Sequence, residues 1–309
     1  MLRFVSRRTM TSALLLVFVL LGVFVLARLT GDPTSLYLPE SATPAQHEAF
    51  AERNGFNDPI WRQAIDYFGG VLQLDFGTSL RTGESASAMV LRAFPATLQL
   101  AFSTMFIAIV LAVIIGSWAA YRPNSLADRF ASVVSMTAAS VPDFWLAITG
   151  VWIFAVVLGV LPTSGTDAGL LSWVLPVATL TIGRLGVLIQ VVRGAMISAL
   201  TAPSVRLARS IGASDVRVVT HHALRNAAAP TLTVAGDLMV GMVNGAVIVE
   251  SIFGWPGVGK LMIDSVLGRD FAVLQVAVLM TAVAIFVLNI LIDITYALLD
   301  ARVREPARV

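Results

Sequence analysis

The stretch Ala96–Ala120, ATLQLAFSTMFIAIVLAVIIGSWAA, runs for 25 residues without one charged side chain. An α-helix rises about 1.5 Å per residue, so this run exceeds the roughly 20 apolar residues that cross a hydrocarbon layer of about 30 Å. Five further stretches pass the same test: Thr9–Leu29, Phe130–Leu161, Trp173–Val192, Pro230–Phe253 and Phe271–Leu299. Together they predict an all-α, polytopic membrane protein with six transmembrane helices. The composition agrees. The 309 residues are 57% hydrophobic and 13% charged, whereas a soluble domain needs about 25% charged residues to solvate its surface. Thr9–Leu29 follows Arg3, Arg7 and Arg8. It is longer than the apolar core of about 7–15 residues in a secretory signal and lacks a convincing small-residue cleavage site, so an uncleaved anchor is expected.

Orientation follows from the arginines and the one lysine. With a cytoplasmic N-terminus, 14 basic residues fall inside (Arg184 and Arg193 among them) and 7 outside. Both termini are therefore expected in the cytoplasm. The chain then divides into residues 1–93, a first span plus a long extracytoplasmic segment, and residues 94–303, a five-helix core with a cytoplasmic loop at 194–229. There is no cysteine, which excludes disulfides, thiolate metal sites and cysteine nucleophiles. The net charge of +2 gives no case for nucleic acid.

The loop from Gly194 to Ala229 is the most informative connection. Pro203-Ser204 offers a helix start with Ser204 as cap, and Gly212 suits the left-handed position that closes a helix. Ser214 or Asp215 then caps a second helix, expected to end before Pro230. In it Val216, Val219, Ala223 and Ala227 form an apolar stripe, while Arg217, His221 and Arg225 recur on another face. Such a positively edged hairpin suits either a protein partner or anionic lipid.

The residues of this loop, VRLARSIG at 205–212 continuing to His222-Ala-Leu-Arg225-Asn226 and Pro230, resemble the coupling loop of binding-protein-dependent ABC importer permeases. The general motif begins Glu-Ala-Ala; this chain has Arg206 and Leu207 in the first two places and keeps Ala208, a departure usual in the peptide branch. The resemblance extends to Arg28–Pro33, LDFGTSLRTG at 74–83, PATL at 95–98, VPDFWL at 141–146, ESIFGWPGVGKL at 250–261 and Leu298–Val303, where Ala301 replaces the family's proline. It points to the B-type membrane subunit of the dipeptide, oligopeptide or nickel branch. What it implies is a non-catalytic half of a translocation pathway in a bacterial inner membrane. Its implied partners are a second related permease, two cytoplasmic ATPase subunits, an extracytoplasmic substrate-binding protein and a peptide. ATP and magnesium are used by the partner subunits, and no cofactor is expected here. The coupling positions that it assigns are Arg206, Ala208, Arg209, Gly212, Asp215, His222, Arg225 and Asn226.

Other motifs imitate chemistry. Gly254–Lys260 matches the core of a phosphate-binding loop, but Leu261 stands where a hydroxyl must hold magnesium. It is expected to be a tight turn. Adjacent His221 and His222 cannot face one metal ion on a helix. Gly241 and Gly245 have the spacing that lets membrane helices approach, and packing is favoured over a gate. Acidic residues inside spans are costly and therefore functional candidates. Asp143 falls near the middle of the third span, where lining a path is preferred. Asp237 shares a face with Gly241 and Asn244. A polar pathway and a hydrogen bond to a partner subunit both remain open for it. Glu250 and Asp293, nearer span ends, are expected to be structural.

Two other classes fit less well. A proton-coupled secondary transporter ordinarily has internal repeats, and none is visible. An intramembrane enzyme lacks a His-Glu-x-x-His or Gly-x-Ser-x-Gly motif. Among permeases, nickel chelates and glutathione are the alternative cargoes.

Overall fold

In this computed structural model, residues 17–18, 20–22, 24–25, 38, 42–53, 55–73, 75–79 and 81–299 are described. Most of the first expected span, the Arg28–Pro33 motif and both termini lie outside them. The chain divides into two compact units: residues 1–96 with 256–286, and residues 97–255 with 287–309.

The first unit holds α1 (Pro44–Arg53), α2 (Ile60–Leu72), the start of α3 (Ala86–Tyr121), α9 (Val258–Leu267) and most of α10 (Phe271–Leu299). Ala86, Val90, Val258, Val273, Val276 and Ala277 form its core. Within the 74–83 motif Gly77 and Gly83 take φ 76° and 72°, and an isolated bridge joins Thr78 to Ser85. The Ser79 hydroxyl donates to the Asp270 carboxylate, both buried.

The second unit contains the rest of α3, then α4 (Leu126–Ser140), α5 (Asp143–Gly150), α6 (Leu171–Leu200), α7 (Pro203–Ser210) and α8 (Leu224–Ile252). Ala108, Ala112, Leu188, Val192, Met196, Ala223 and Met242 meet in its core. Without a hydrophobic force between helices in lipid, close approach comes from small residues. A Cβ on Gly116 would lie 2.8 Å from Val192 Cβ, and one on Gly186 would lie 2.4 Å from the Ser135 carbonyl oxygen.

Among the described residues, Ala86–Tyr121, Leu171–Leu200 and Phe271–Ile292 are long and apolar enough to cross a bilayer unaided. Two bent pairs qualify if each is one span. The expected third span is one of them: Leu126–Ser140 and Asp143–Val157 meet at 96°. The cause is local. Val141 precedes Pro142, and the proline ring forces it out of the helical region to φ −85°, ψ 126°. Beyond α5 the chain continues as a π-helical segment, Val151–Val157. Large apolar side chains such as Phe106, Trp118, Phe130 and Trp152 stand exposed, as lipid-facing residues must.

Candidate coupling loop and pathway face

α7 begins two residues earlier than a Ser204 cap would place it. Ala202 occupies the cap position and Pro203 the first turn, so Ser204 does not cap it. Proline suits that place because the first-turn N–H has no helical partner to lose. The far end closes as expected. Gly212 sits at φ +88°; its N–H donates to the Arg209 carbonyl at 3.0 Å, and the Ala213 N–H donates to the Ala208 carbonyl at 3.0 Å. These two bonds make a complete left-handed helix closure. No atom lies within 4 Å of where a Gly212 Cβ would stand, so the requirement for glycine within this chain is conformational.

Ser214 then takes the cap position of a short turn, Asp215–Arg217, whose carboxylate partner is the Tyr121 hydroxyl at the end of α3. The next six residues, Val218–Ala223, are π-helical and lead directly into α8. Two expectations change here. The helix does not end before Pro230 but carries it as an interior residue of α8. The buried stripe is Val218, Ala223 and Ala227, while Val216 is 73% exposed. A π turn spaces like-facing residues by five instead of four, which moves the stripe off the expected register. Arg217, His221 and Arg225 do share an exposed face.

Val205 and Ala208 pack inward, both buried. Ala208, one of the expected coupling positions, packs against its own chain. The outward side carries Arg206, Arg209 and Asn226, with His222 half-buried. Leu207 and Ile211 also point out, 65% and 79% exposed, and were not singled out by motif. The loop tip is thus apolar at its centre and basic at its edge.

Asp143 falls at the break in the middle of the bent third span. It lies in the first turn of α5, where a carboxylate complements the helix dipole, and it accepts from Arg184 Nη1 of α6 at 2.5 Å. Arg184 and Arg193, grouped with the inner arginines by sequence, lie inside α6. Arg193 forks onto the buried Asp128 of α4, with Nη2 to Oδ2 at 2.8 Å. Between these pairs Gln190 Nε2 donates to Ser135 Oγ at 2.6 Å. Three polar contacts therefore hold the bent α4–α5 element against α6. A charged residue inside an apolar run was the available signal for these pairs.

On α8, Asn226, Pro230, Thr233, Asp237 and Gly241 are all exposed. They recur at three- and four-residue steps and so form one face. Asp237 therefore stands on a polar face that the described residues leave exposed. The Asn244 and Asp293 side chains lie outside the described residues. Gly241 has no neighbour within 4 Å, so it packs nothing here; a Cβ on Gly245 would meet Arg184 Nη2 at 3.1 Å. Glu250 is fully buried. The Gly254 turn has φ +60°, and Lys260 donates to Asp264 at 2.5 Å. No group of acidic or histidine residues that could hold a metal occurs among the described residues.

Comparison with known proteins fits this geometry. Residues 112–305 match the family described as the binding-protein-dependent transport system inner membrane component, and residues 1–101 match its N-terminal companion. The chain belongs to this family of transporter membrane subunits. It is 35% identical to the di/tripeptide transport system permease protein DppB of Pseudomonas aeruginosa (strain UCBPP-PA14), covering 99% of both chains. It is 32% identical to the oligopeptide permease AppB of Bacillus subtilis (strain 168), covering 98% of this chain and 99% of that one. Among solved structures, an inward-facing MetNI methionine ABC transporter aligns at TM-score 0.58 and 17% identity, covering 69% of this chain and 96% of that one. That likeness concerns the fold.

Proposed function

We propose that the chain is one permease half of an ATP-driven importer for dipeptides or oligopeptides in a bacterial inner membrane. It carries six spans, has both termini in the cytoplasm, and pairs with a second related permease. Two separate ATPase subunits use ATP and magnesium, and an extracytoplasmic binding protein delivers the peptide. The observation that carries this reading is the loop tip. Leu207 and Ile211 are apolar and exposed on and at the end of a helix whose Val205 and Ala208 are locked inward, and exposed Val216 follows in the next turn. A solvent-facing apolar tip of this kind implies a protein surface to cover it. The relatives named as peptide permeases support the cargo class. Asp237 on the uncovered α8 face supports a polar path at the interface with the sister subunit, with Asn244 beside it in sequence register. Asp143 acts by holding Arg184 at the α5–α6 junction.

Since the chain has no cysteine, labelling of single cysteines tests the arrangement. Those replacing Ser41, Thr166 and Gly268 should react with an impermeant thiol reagent from outside. Those replacing Asn124 and Ser214 should react only after permeabilisation. Outside labelling at Ser214 in intact cells would refute both the span count and the coupling role.

A further inference from the structure

The helix α2, Ile60–Leu72, has three chemically distinct faces. At about 100° per residue, Gln63, Tyr67 and Gly70 fall on one arc. Gln63 Nε2 donates to the carbonyls of Phe56 at 3.2 Å and Asp58 at 2.8 Å, and the Tyr67 ring stacks on Phe24 with centroids 5.6 Å apart. This arc is the packing face. A second arc carries the charges Arg62 and Asp66, both exposed; Arg62 lies 3.8 Å from Asp58. The third arc carries Trp61 and Ile65, 65% and 63% exposed, with half-buried Phe68 beside them. Ile60, 64% exposed, borders it.

An exposed apolar arc lying next to a charged one needs an occupant that is apolar on one side and wet on the other. The Phe24–Tyr67 stack says where such an occupant is. Phe24 lies five residues in sequence from Leu29, where the apolar stretch Thr9–Leu29 ends, so it belongs near one end of the expected first span. A helix stacked on Phe24 is therefore held at the boundary of the bilayer, and tryptophan is enriched at that depth.

We propose that α2 is an interfacial helix. It lies along the lipid surface with Trp61, Ile65 and Phe68 inserted at the acyl boundary and Arg62 and Asp66 in water, in the geometry of amphipathic helices that bind a leaflet. The helix would brace the first span from outside its own length, using lipid as the third contact. This depends on the chain sitting in a bilayer, not on what it transports, so a failed transport assay and a failed test here are separable.

Spin labels on cysteines at four exposed positions give the test, with the assembled transporter in nanodiscs of phosphatidylcholine and phosphatidylglycerol. Trp61→Cys and Ile65→Cys should relax more with oxygen, which partitions into lipid, than with an aqueous nickel chelate. Arg62→Cys and Asp66→Cys should show the reverse order. Nickel access at all four positions would place the face in water and overturn the proposal. Exclusion of both reagents at 61 and 65 would mean that a protein partner covers it, which overturns it equally. Four labels keep the pattern readable if any one variant assembles poorly.

Discussion

Gly212 is the position where one side chain decides the course of the loop. At φ +88° a β-branched residue costs about 1 kcal/mol or more, and the two carbonyls satisfied by its closure would be released. Gly212→Val should therefore reach the membrane and pair normally while losing most uptake and substrate-stimulated ATP hydrolysis. Gly212→Asn, which tolerates a left-handed backbone, separates strain from crowding. Open space around the position within this chain means that recovered uptake assigns the effect to conformation. Uptake as low as with valine assigns it to a partner surface that admits no side chain. Asp237 raises a different question at the same scale. Because its carboxylate is exposed on α8, Asp237→Leu should lower uptake more than assembly. Equal loss of both, with the complex failing to purify, would mean that it bonds to a sister subunit. The left-handed glycine was legible in sequence because only its spacing to a helix end matters. The inward turn of Ala208 was not, since a motif fixes identity and not which face packs.

Elements are where sequence and structure part company most. The later apolar runs were legible because apolar length is a one-dimensional property: among the described residues three are helices long enough to cross a bilayer unaided and two are bent pairs. Their breaks were less so. The 96° bend was written in Val141-Pro142, yet proline alone does not decide: Pro95, Pro176 and Pro230 all sit inside continuous helices. What distinguishes the bend is the support on its far side, Asp143 to Arg184 and Asp128 to Arg193, and such long-range pairing leaves no local pattern. Removing one member of a part-buried pair strands the other charge, at a cost below the roughly 3–5 kcal/mol of a fully buried pair, while replacing both by apolar residues is often nearly neutral. Arg184→Leu should accordingly lower the thermal stability of the purified complex, and Asp143→Leu with Arg184→Leu should recover much of it. Additive losses in that double variant would show that the pair does not act as a unit. The π-helical Val218–Ala223 is the other hidden feature. It has no composition of its own, and only the burial of Val218, Ala223 and Ala227 reveals the altered register.

For the whole molecule, the family and the cargo class rest on motifs spread over the chain and on relatives matched end to end. The use of external ATP rests on one small surface. Leu207 and Ile211 are exposed on a loop that is otherwise well anchored, so changing them leaves the chain's own core untouched. The decisive measurement is ATP hydrolysis by the purified, reconstituted transporter in the presence of its loaded binding protein, with Leu207→Glu and Ile211→Glu combined. The account predicts permease pairs at the wild-type level, ATPase subunits that dissociate on purification, and stimulated hydrolysis reduced at least tenfold, which corresponds to about 1.4 kcal/mol of lost coupling. Wild-type stimulation with the ATPase still bound would contradict it.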